Sequence, residues 1–68
     1  MKRTEVMKRL RAIAKTKRAE MTTTEGGNHT LVMFDGVRIA TVPRHNEINE
    51  HTARSITTAA EGWTKGGG

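Results

Sequence analysis

The chain has 68 residues, enough for one small domain, and its 12 lysine and arginine residues outnumber seven acidic ones to give a formal net charge of +5. Because cysteine is absent, a disulfide framework and a thiolate metal site are excluded, and we expect packing alone to stabilise the domain. No apolar run approaches the ~20 residues that span a bilayer. We therefore expect a cytoplasmic protein that is neither secreted nor inserted into a membrane.

Positive charge is concentrated in the first 20 residues, which carry eight basic side chains against two acidic ones. Val6, Leu10 and Ile13 recur at helical spacing and predict an amphipathic α-helix. At ~100° per residue, a separate stripe of this helix holds four cations, which we refer to as the basic stripe. Its members are Lys8, Arg11, Lys15 and Arg18. The basic stripe predicts contacts with the phosphates of a polyanionic partner, and the alternative is an ordinary solvated helix face.

Three strands are predicted after the helix. Residues 19–25 are rich in threonine, Gly26-Gly27-Asn28 is turn-forming, and residues 29–34 form an apolar run. Asp35-Gly36 is a strong signal for a two-residue type I′ turn, because that turn needs positive φ at both positions. Residues 37–42 are then the return strand of a hairpin.

A two-residue loop at Asp35-Gly36 also predicts the register of that hairpin, in which Phe34 pairs with Val37 and His29 with Val42. Directly paired residues share a face of the sheet. The predicted core face holds Val32, Phe34, Val37 and Ile39. The predicted outer face holds His29, Leu31, Met33, Arg38, Ala40 and Val42. Since the helices cover only the core face, the apolar residues of the outer face make it a candidate docking surface.

A second helix is predicted beyond Pro43, which ends the strand because proline has no N–H for the ladder. Asn49 is a credible N-cap, with Ile48 before it and Ala53 at N4 in the positions of a hydrophobic staple. We expect Gly62 to cap the helix C-terminus. The inner face of the helix is predicted to comprise Ala53, Ile56, Ala60 and Trp63.

The order helix, three strands, helix predicts an α+β two-layer sandwich, in which both helices cover one face of a three-stranded antiparallel sheet. We expect a single domain over residues 1–63. The glycine-rich residues 64–68 are expected to form a flexible tail without a function.

Two segments of the chain resemble the HicA toxins of bacterial and phage toxin–antitoxin pairs. The first is Gly27-Asn28-His29 ahead of a strand, and the second runs from Val42 to Ile56 and begins Val-Pro-Arg-His. The resemblance covers residues 6–62 and implies a fold like that of double-stranded RNA-binding domains. It also implies a type II toxin that cleaves mRNA without a metal, an mRNA interferase. The implied partner is a HicB-like antitoxin in a heteromeric complex, and we expect the toxin alone to be a monomer.

The resemblance places the catalytic histidine at His29, with Gly27 and Asn28 beside it as RNA-binding residues. The chain departs from the family pattern at two positions, because Asn28 occupies a serine position and Glu25 lies where a basic residue is common. An acid at that place would oppose RNA binding. Apart from the resemblance, an imidazole suits the general base of metal-free RNA cleavage, because its unperturbed pKa of ~6.5 is close to neutral pH.

Two further residues complete the predicted RNA-binding set, His45 and Arg38. In the predicted register, His45 lies three residues beyond the partner of His29, at the same end of the sheet. It is a candidate for the acid or for a phosphate contact, and the alternative is a structural loop histidine. We interpret His51, near a helix N-terminus, as structural, and Ser55 in a helix interior is set aside. The spacing of the histidines matches no zinc pattern, so neither a metal nor a cofactor is expected.

The sequence leaves two functional classes open. The first is a ribonuclease toxin with His29 as its general base. The second is a noncatalytic RNA-binding module that uses the basic stripe and recognises the shape of the RNA backbone. Replacement of His29 distinguishes the two classes, since a module that only recognises shape does not need a histidine at the start of a strand.

Overall fold

The computed structural model describes residues 1–65. Its elements, in chain order, are α1 (Arg3–Thr16), β1 (Met21–Gly26), β2 (His29–Phe34), β3 (Val37–Pro43) and α2 (Glu50–Gly62). The strands form one open antiparallel sheet with β2 in the centre. The α+β class and the predicted order of elements are therefore confirmed. Within the described residues, neither helix is both long enough and apolar enough to cross a membrane.

A single apolar core joins both helices to one face of the sheet. Each fully buried aliphatic or aromatic side chain in it contributes roughly 1.5–3 kcal/mol relative to an exposed one. The ring of Trp63 closes one end of the core by packing edge-on against Phe34, with the ring centroids 5.6 Å apart. The buried core residues are Val6, Met7, Leu10, Ala14, Val32, Phe34, Val42, Ile48, Ala53, Ile56 and Ala60.

Helix α1 ends two residues earlier than the basic stripe requires. Arg18 has a left-handed backbone, with φ of 57°. Its N–H donates to the carbonyl oxygen of Lys15 at 3.1 Å, and the N–H of Ala19 donates to that of Ala14 at 2.8 Å. This pair of bonds is the Schellman motif, which terminates the helix. The prediction that Arg18 lies on the helical stripe is therefore wrong, and only the other three cations of the basic stripe lie on α1.

Helix α2 begins as predicted and ends differently. The side chain of Asn49 accepts a hydrogen bond from the N–H of Thr52 at 2.8 Å, which confirms it as the N-cap. The predicted cap at Gly62 is wrong, because Gly62 is still helical and Trp63 is the C-cap residue. At Trp63 the chain turns into an extended conformation with φ of −72°. No residue with positive φ is needed there, so glycine has no advantage as a cap.

The hairpin turn is confirmed, since Asp35 and Gly36 have φ of 52° and 81°. The two residue pairs next to the turn are also as predicted. Beyond them the predicted register is wrong by one residue, because Ile39 is an extra residue of β3 in a β-bulge opposite Val32 and Met33. A bulge places two residues of one strand against one of its partner. His29 consequently pairs with Pro43 instead of Val42.

The bulge also changes which residues of β3 face the helices. Val42 pairs with the buried Thr30 and is itself buried, and Ala40 pairs with Val32, so both lie on the core face. Their predicted place on the outer face is wrong, because a one-residue shift reverses the alternation of side chains. Val37, predicted as core, is 47% exposed at the hairpin end of this edge strand. On the outer face, His29, Leu31, Met33 and Arg38 lie as predicted.

The start of the predicted tail contacts the hairpin end of the sheet. The ammonium group of Lys65 donates to the carbonyl oxygen of Arg18 and lies 3.3 Å from a carboxylate oxygen of Asp35. The rest of that predicted tail, residues 66–68, lies outside the described residues.

Candidate active site

An open groove of about 550 Å³ lies at the end of the sheet where β2 begins and β3 ends. We refer to it as the histidine groove. It is lined by Gly27, Asn28, His29, Pro43, Arg44 and His45. Four of the predicted site residues are therefore brought together by the fold: Gly27, Asn28, His29 and His45.

The turn between β1 and β2 forms one wall of the histidine groove. Gly26 pairs with His29, so that Gly27 and Asn28 are the two residues of the turn. Gly27 has φ of +35°, in the region where a residue with a side chain is strained. Because the next residue, Thr30, faces the core, the side chain of His29 extends from the outer face and is exposed. The tight turn thus places the histidine at the rim of the groove.

The segment after β3 forms the opposite wall. The backbone N–H of Arg44 donates to the carbonyl oxygen of Asn28 at 3.1 Å. Its guanidinium Nη1 donates to the carbonyl oxygen of Gly27 at 3.3 Å. These bonds hold the segment against the turn, and His45 follows two residues after Pro43, the pairing partner of His29. The bulge brings His45 one residue closer to that partner than the predicted register does.

A polar network lies behind the groove. The Glu25 carboxylate is 3.6 Å from Nε of Arg44 and accepts a hydrogen bond from the Thr30 hydroxyl at 2.8 Å. The hydroxyl of Thr30 in turn accepts a hydrogen bond from Arg3. Nε of Arg3 also donates to the carbonyl oxygen of Pro43 at 3.2 Å. The network connects the start of α1 with both walls of the groove.

The other predicted RNA-binding residues lie away from the histidine groove. The basic stripe is reduced to three cations on α1, and these are exposed on the helix layer, whereas His29 projects from the outer face of the sheet. Arg38 shares that outer face, but its partner Met33 lies four residues along β2 from His29, about 13 Å away. The described cations of the stripe are Lys8, Arg11 and Lys15.

Arg44 and Arg3 were not predicted as site residues. Arg44 stands between Pro43 and His45, in the segment that carries the resemblance, and that position was the available signal for it. Arg3 lies in a different element from every other residue of the network, and only the packing of α1 against the end of the sheet brings it there. No local sequence signal distinguishes Arg3 from the other basic residues of the N-terminal segment.

The histidine groove combines two exposed imidazoles with a guanidinium. Imidazoles transfer protons near neutral pH, and a guanidinium binds phosphate oxygens. His51 and Ser55 lie exposed on α2, outside the groove. Within residues 1–65, no three histidine or carboxylate side chains are grouped to hold a metal ion. The arrangement is suited to acid–base chemistry on a phosphodiester.

Comparison with known proteins gives no relative, because no protein-family model, curated protein or solved structure matches this chain. The residues of the histidine groove and the cations of α1 are therefore the features from which function is inferred.

Proposed function

We propose that this chain is a metal-independent endoribonuclease that cleaves mRNA, acting as the toxin of a type II toxin–antitoxin pair. The observation that supports the proposal is that His29, His45 and Arg44 line one open groove. These residues come from two separate segments of the chain. They supply the base, the acid and the cation that RNA cleavage without a metal requires.

In the proposed reaction, His29 takes the proton of a ribose 2′-hydroxyl, and the resulting oxygen attacks the adjacent phosphorus. The bond from phosphorus to the 5′-oxygen of the next nucleotide breaks, and His45 donates a proton to that leaving oxygen. The products are a 2′,3′-cyclic phosphate and a 5′-hydroxyl. Arg44 stabilises the charge that develops on the phosphoryl oxygens.

The proposed toxin resembles HicA proteins, with a fold like that of double-stranded RNA-binding domains and a cytoplasmic site of action. Its proposed partner is a HicB-like antitoxin that covers the outer face of the sheet. Leu31 and Met33 lie half-buried on that face, next to the exposed His29. One antitoxin surface could therefore bury an apolar patch and block the catalytic histidine together.

The test is cleavage of an mRNA fragment in the presence of EDTA. We expect His29→Ala to lower the rate by about 10²–10⁴-fold, the usual contribution of a general acid or base. The matched control is His51→Ala, which removes an exposed histidine outside the groove and should cleave at the native rate. Native products should carry 2′,3′-cyclic phosphate ends. Equal rates for His29→Ala and the native protein would refute the assignment of the base.

A noncatalytic RNA-binding module is the second candidate function. The observation that favours it is the exposure of Lys8, Arg11 and Lys15 along α1, on a different layer from the histidines. RNA bound there would not need the groove. In this case RNA binds without being cleaved. In a Lys8→Ala, Lys15→Ala variant, the slope of the logarithm of the binding constant against the logarithm of the salt concentration becomes shallower by roughly 0.7–0.9 per lost phosphate contact. An unchanged slope would reduce the stripe to a solvated helix face.

A further inference from the structure

Glu25 is an acidic residue directly beside the proposed phosphate-binding groove. It lies near the end of β1 and pairs with Thr30 of β2, so both side chains are on the core-facing side of the sheet. From sequence alone, a carboxylate at this position is expected to repel RNA. Its surroundings in the fold give it a different role.

The carboxylate of Glu25 is held from two sides. On one side it accepts the hydroxyl hydrogen bond of Thr30 at 2.8 Å, and on the other it faces Nε of Arg44 at 3.6 Å. Thr30 is the one buried polar residue within the described chain, and its hydroxyl is also the acceptor for Arg3. Because a hydroxyl both donates and accepts, Thr30 couples the carboxylate to a second guanidinium. Glu25 is therefore connected to two arginines, to Arg44 directly and to Arg3 through the Thr30 hydroxyl.

The same contacts restrain Arg44. Its Nε side faces Glu25, and its Nη1 donates to the carbonyl oxygen of Gly27 at 3.3 Å. The other N–H groups of the guanidinium remain for a ligand in the groove, which Arg44 itself lines. Arginine has a long, flexible side chain, and catalysis depends on charge that is already oriented before the reaction begins. A carboxylate fixed on the buried Thr30 provides that orientation.

We propose that Glu25 is a positioning residue, which holds the guanidinium of Arg44 toward the scissile phosphate of an RNA substrate in the histidine groove. This inference rests on the proposed ribonuclease function. A positioning role and simple repulsion of RNA predict opposite changes in the cleavage rate when Glu25 is removed. If Glu25 only repels RNA, its removal speeds cleavage; if it positions Arg44, its removal slows cleavage even though a negative charge is lost.

The first experiment measures cleavage kinetics of the native protein, Glu25→Ala and Glu25→Gln. We expect Glu25→Ala to lower kcat by between about 10-fold and 100-fold, the effect of misplacing a catalytic group by roughly 1 Å. KM should change much less than kcat. Glu25→Gln should recover most of the loss, since its amide oxygen still accepts from the Thr30 hydroxyl, which holds it beside Nε of Arg44. The matched control is Glu20→Ala, which should retain the native kcat. Glu20 is an exposed acid directly before the first residue of β1, at the end of the strand away from Glu25. A rise in kcat/KM for Glu25→Ala would overturn the proposal.

The second experiment follows Arg44 without any substrate. The order parameter of its Nε–H bond, from ¹⁵N relaxation, should exceed about 0.6 in the native protein and fall below it in Glu25→Ala. In Glu25→Gln it should stay close to the native value. An order parameter that Glu25→Ala leaves unchanged overturns the positioning role, whatever the cleavage rate. A native protein with an ordered Arg44 that does not cleave RNA refutes the ribonuclease function instead, and with it the role of Glu25 in cleavage.

Discussion

The left-handed backbone of Arg18 predicts that replacing this residue by glycine stabilises the protein. Arg18 has φ of 57° and directly follows the C-cap residue of α1, in a Schellman motif formed by its own N–H and that of Ala19. A residue with a side chain pays roughly 1–2 kcal/mol for the left-handed conformation. Glycine avoids this cost but loses roughly 0.5–1 kcal/mol more conformational entropy on folding. The midpoints of these two ranges differ by about 0.75 kcal/mol, so the net stabilisation expected for Arg18→Gly is about 0.5–1 kcal/mol.

Thermal unfolding followed by circular dichroism measures this effect. A domain of this size gains about 4–8 °C in Tm per kcal/mol, so the expected rise for Arg18→Gly is about 2–8 °C. Arg18→Ala separates the conformational effect from the loss of charge. Alanine keeps the side-chain penalty of the left-handed region, so this variant should melt close to the native protein. Lys65 still donates to residue 18 in both variants, because its acceptor there is a backbone carbonyl.

The matched control is Lys17→Gly at the preceding position. Lys17 has φ of −89°, a conformation that any residue adopts, so glycine there brings only its entropy cost and should lower Tm. A rise in Tm for glycine at position 18 and a fall in Tm for glycine at position 17 together identify residue 18 as the left-handed one. If Arg18→Gly lowers Tm as Lys17→Gly does, position 18 is not left-handed in solution and the described end of α1 is wrong.

Two further predictions concern the hairpin turn and the outer face. The backbone N–H of Glu20, which donates to the Asp35 carboxylate at 2.8 Å, lowers the pKa of Asp35, and Lys65 lowers it further. Asp35→Asn should therefore have a lower Tm than the native protein at pH 7. This difference in Tm should vanish as the pH falls below the unfolded-state pKa of about 3.9 and through the lower folded-state pKa. An equal difference in Tm at pH 2 would contradict this cause. The Leu31→Asp, Met33→Asp variant should stay folded and lose affinity for the proposed HicB-like antitoxin, because each carboxylate buried unpaired in that interface costs several kcal/mol. Unfolding of that variant would show that its outer-face placement is wrong, and native affinity would show that the antitoxin binds elsewhere.

Several elements of the fold could be predicted because their signals are local. Asp35-Gly36 specifies its turn through the φ angles that its own two residues adopt. Asn49 specifies the start of α2 through a bond to a residue three positions away. The apolar spacing of Val6 and Leu10 identifies the buried side of α1. Each of these features depends on residues within one or two helical turns, or within one hairpin loop, so no distant partner is needed to decide it.

Features that depend on packing between distant segments could not be predicted in the same way. The bulge at Ile39 has no local signal: it turns Ala40 and Val42 toward the helices, and core burial of Val42 offsets the irregular pairing. Because Ile39 is an extra residue in β3, His29 pairs with Pro43. The extra residue also determines how close His45 comes to the catalytic candidate.

The candidate site shows the same division between local and tertiary information. Single candidate residues could be named from sequence, such as His29, which the family resemblance indicated and whose imidazole chemistry belongs to the residue itself. Its catalytic role stays a prediction. The environment of Glu25 could not be predicted, because the carboxylate faces Arg44 and is connected through Thr30 to Arg3, and these residues belong to different parts of the fold. Electrostatic interactions depend on distance in space, and those distances exist only after the helix and the sheet have packed together.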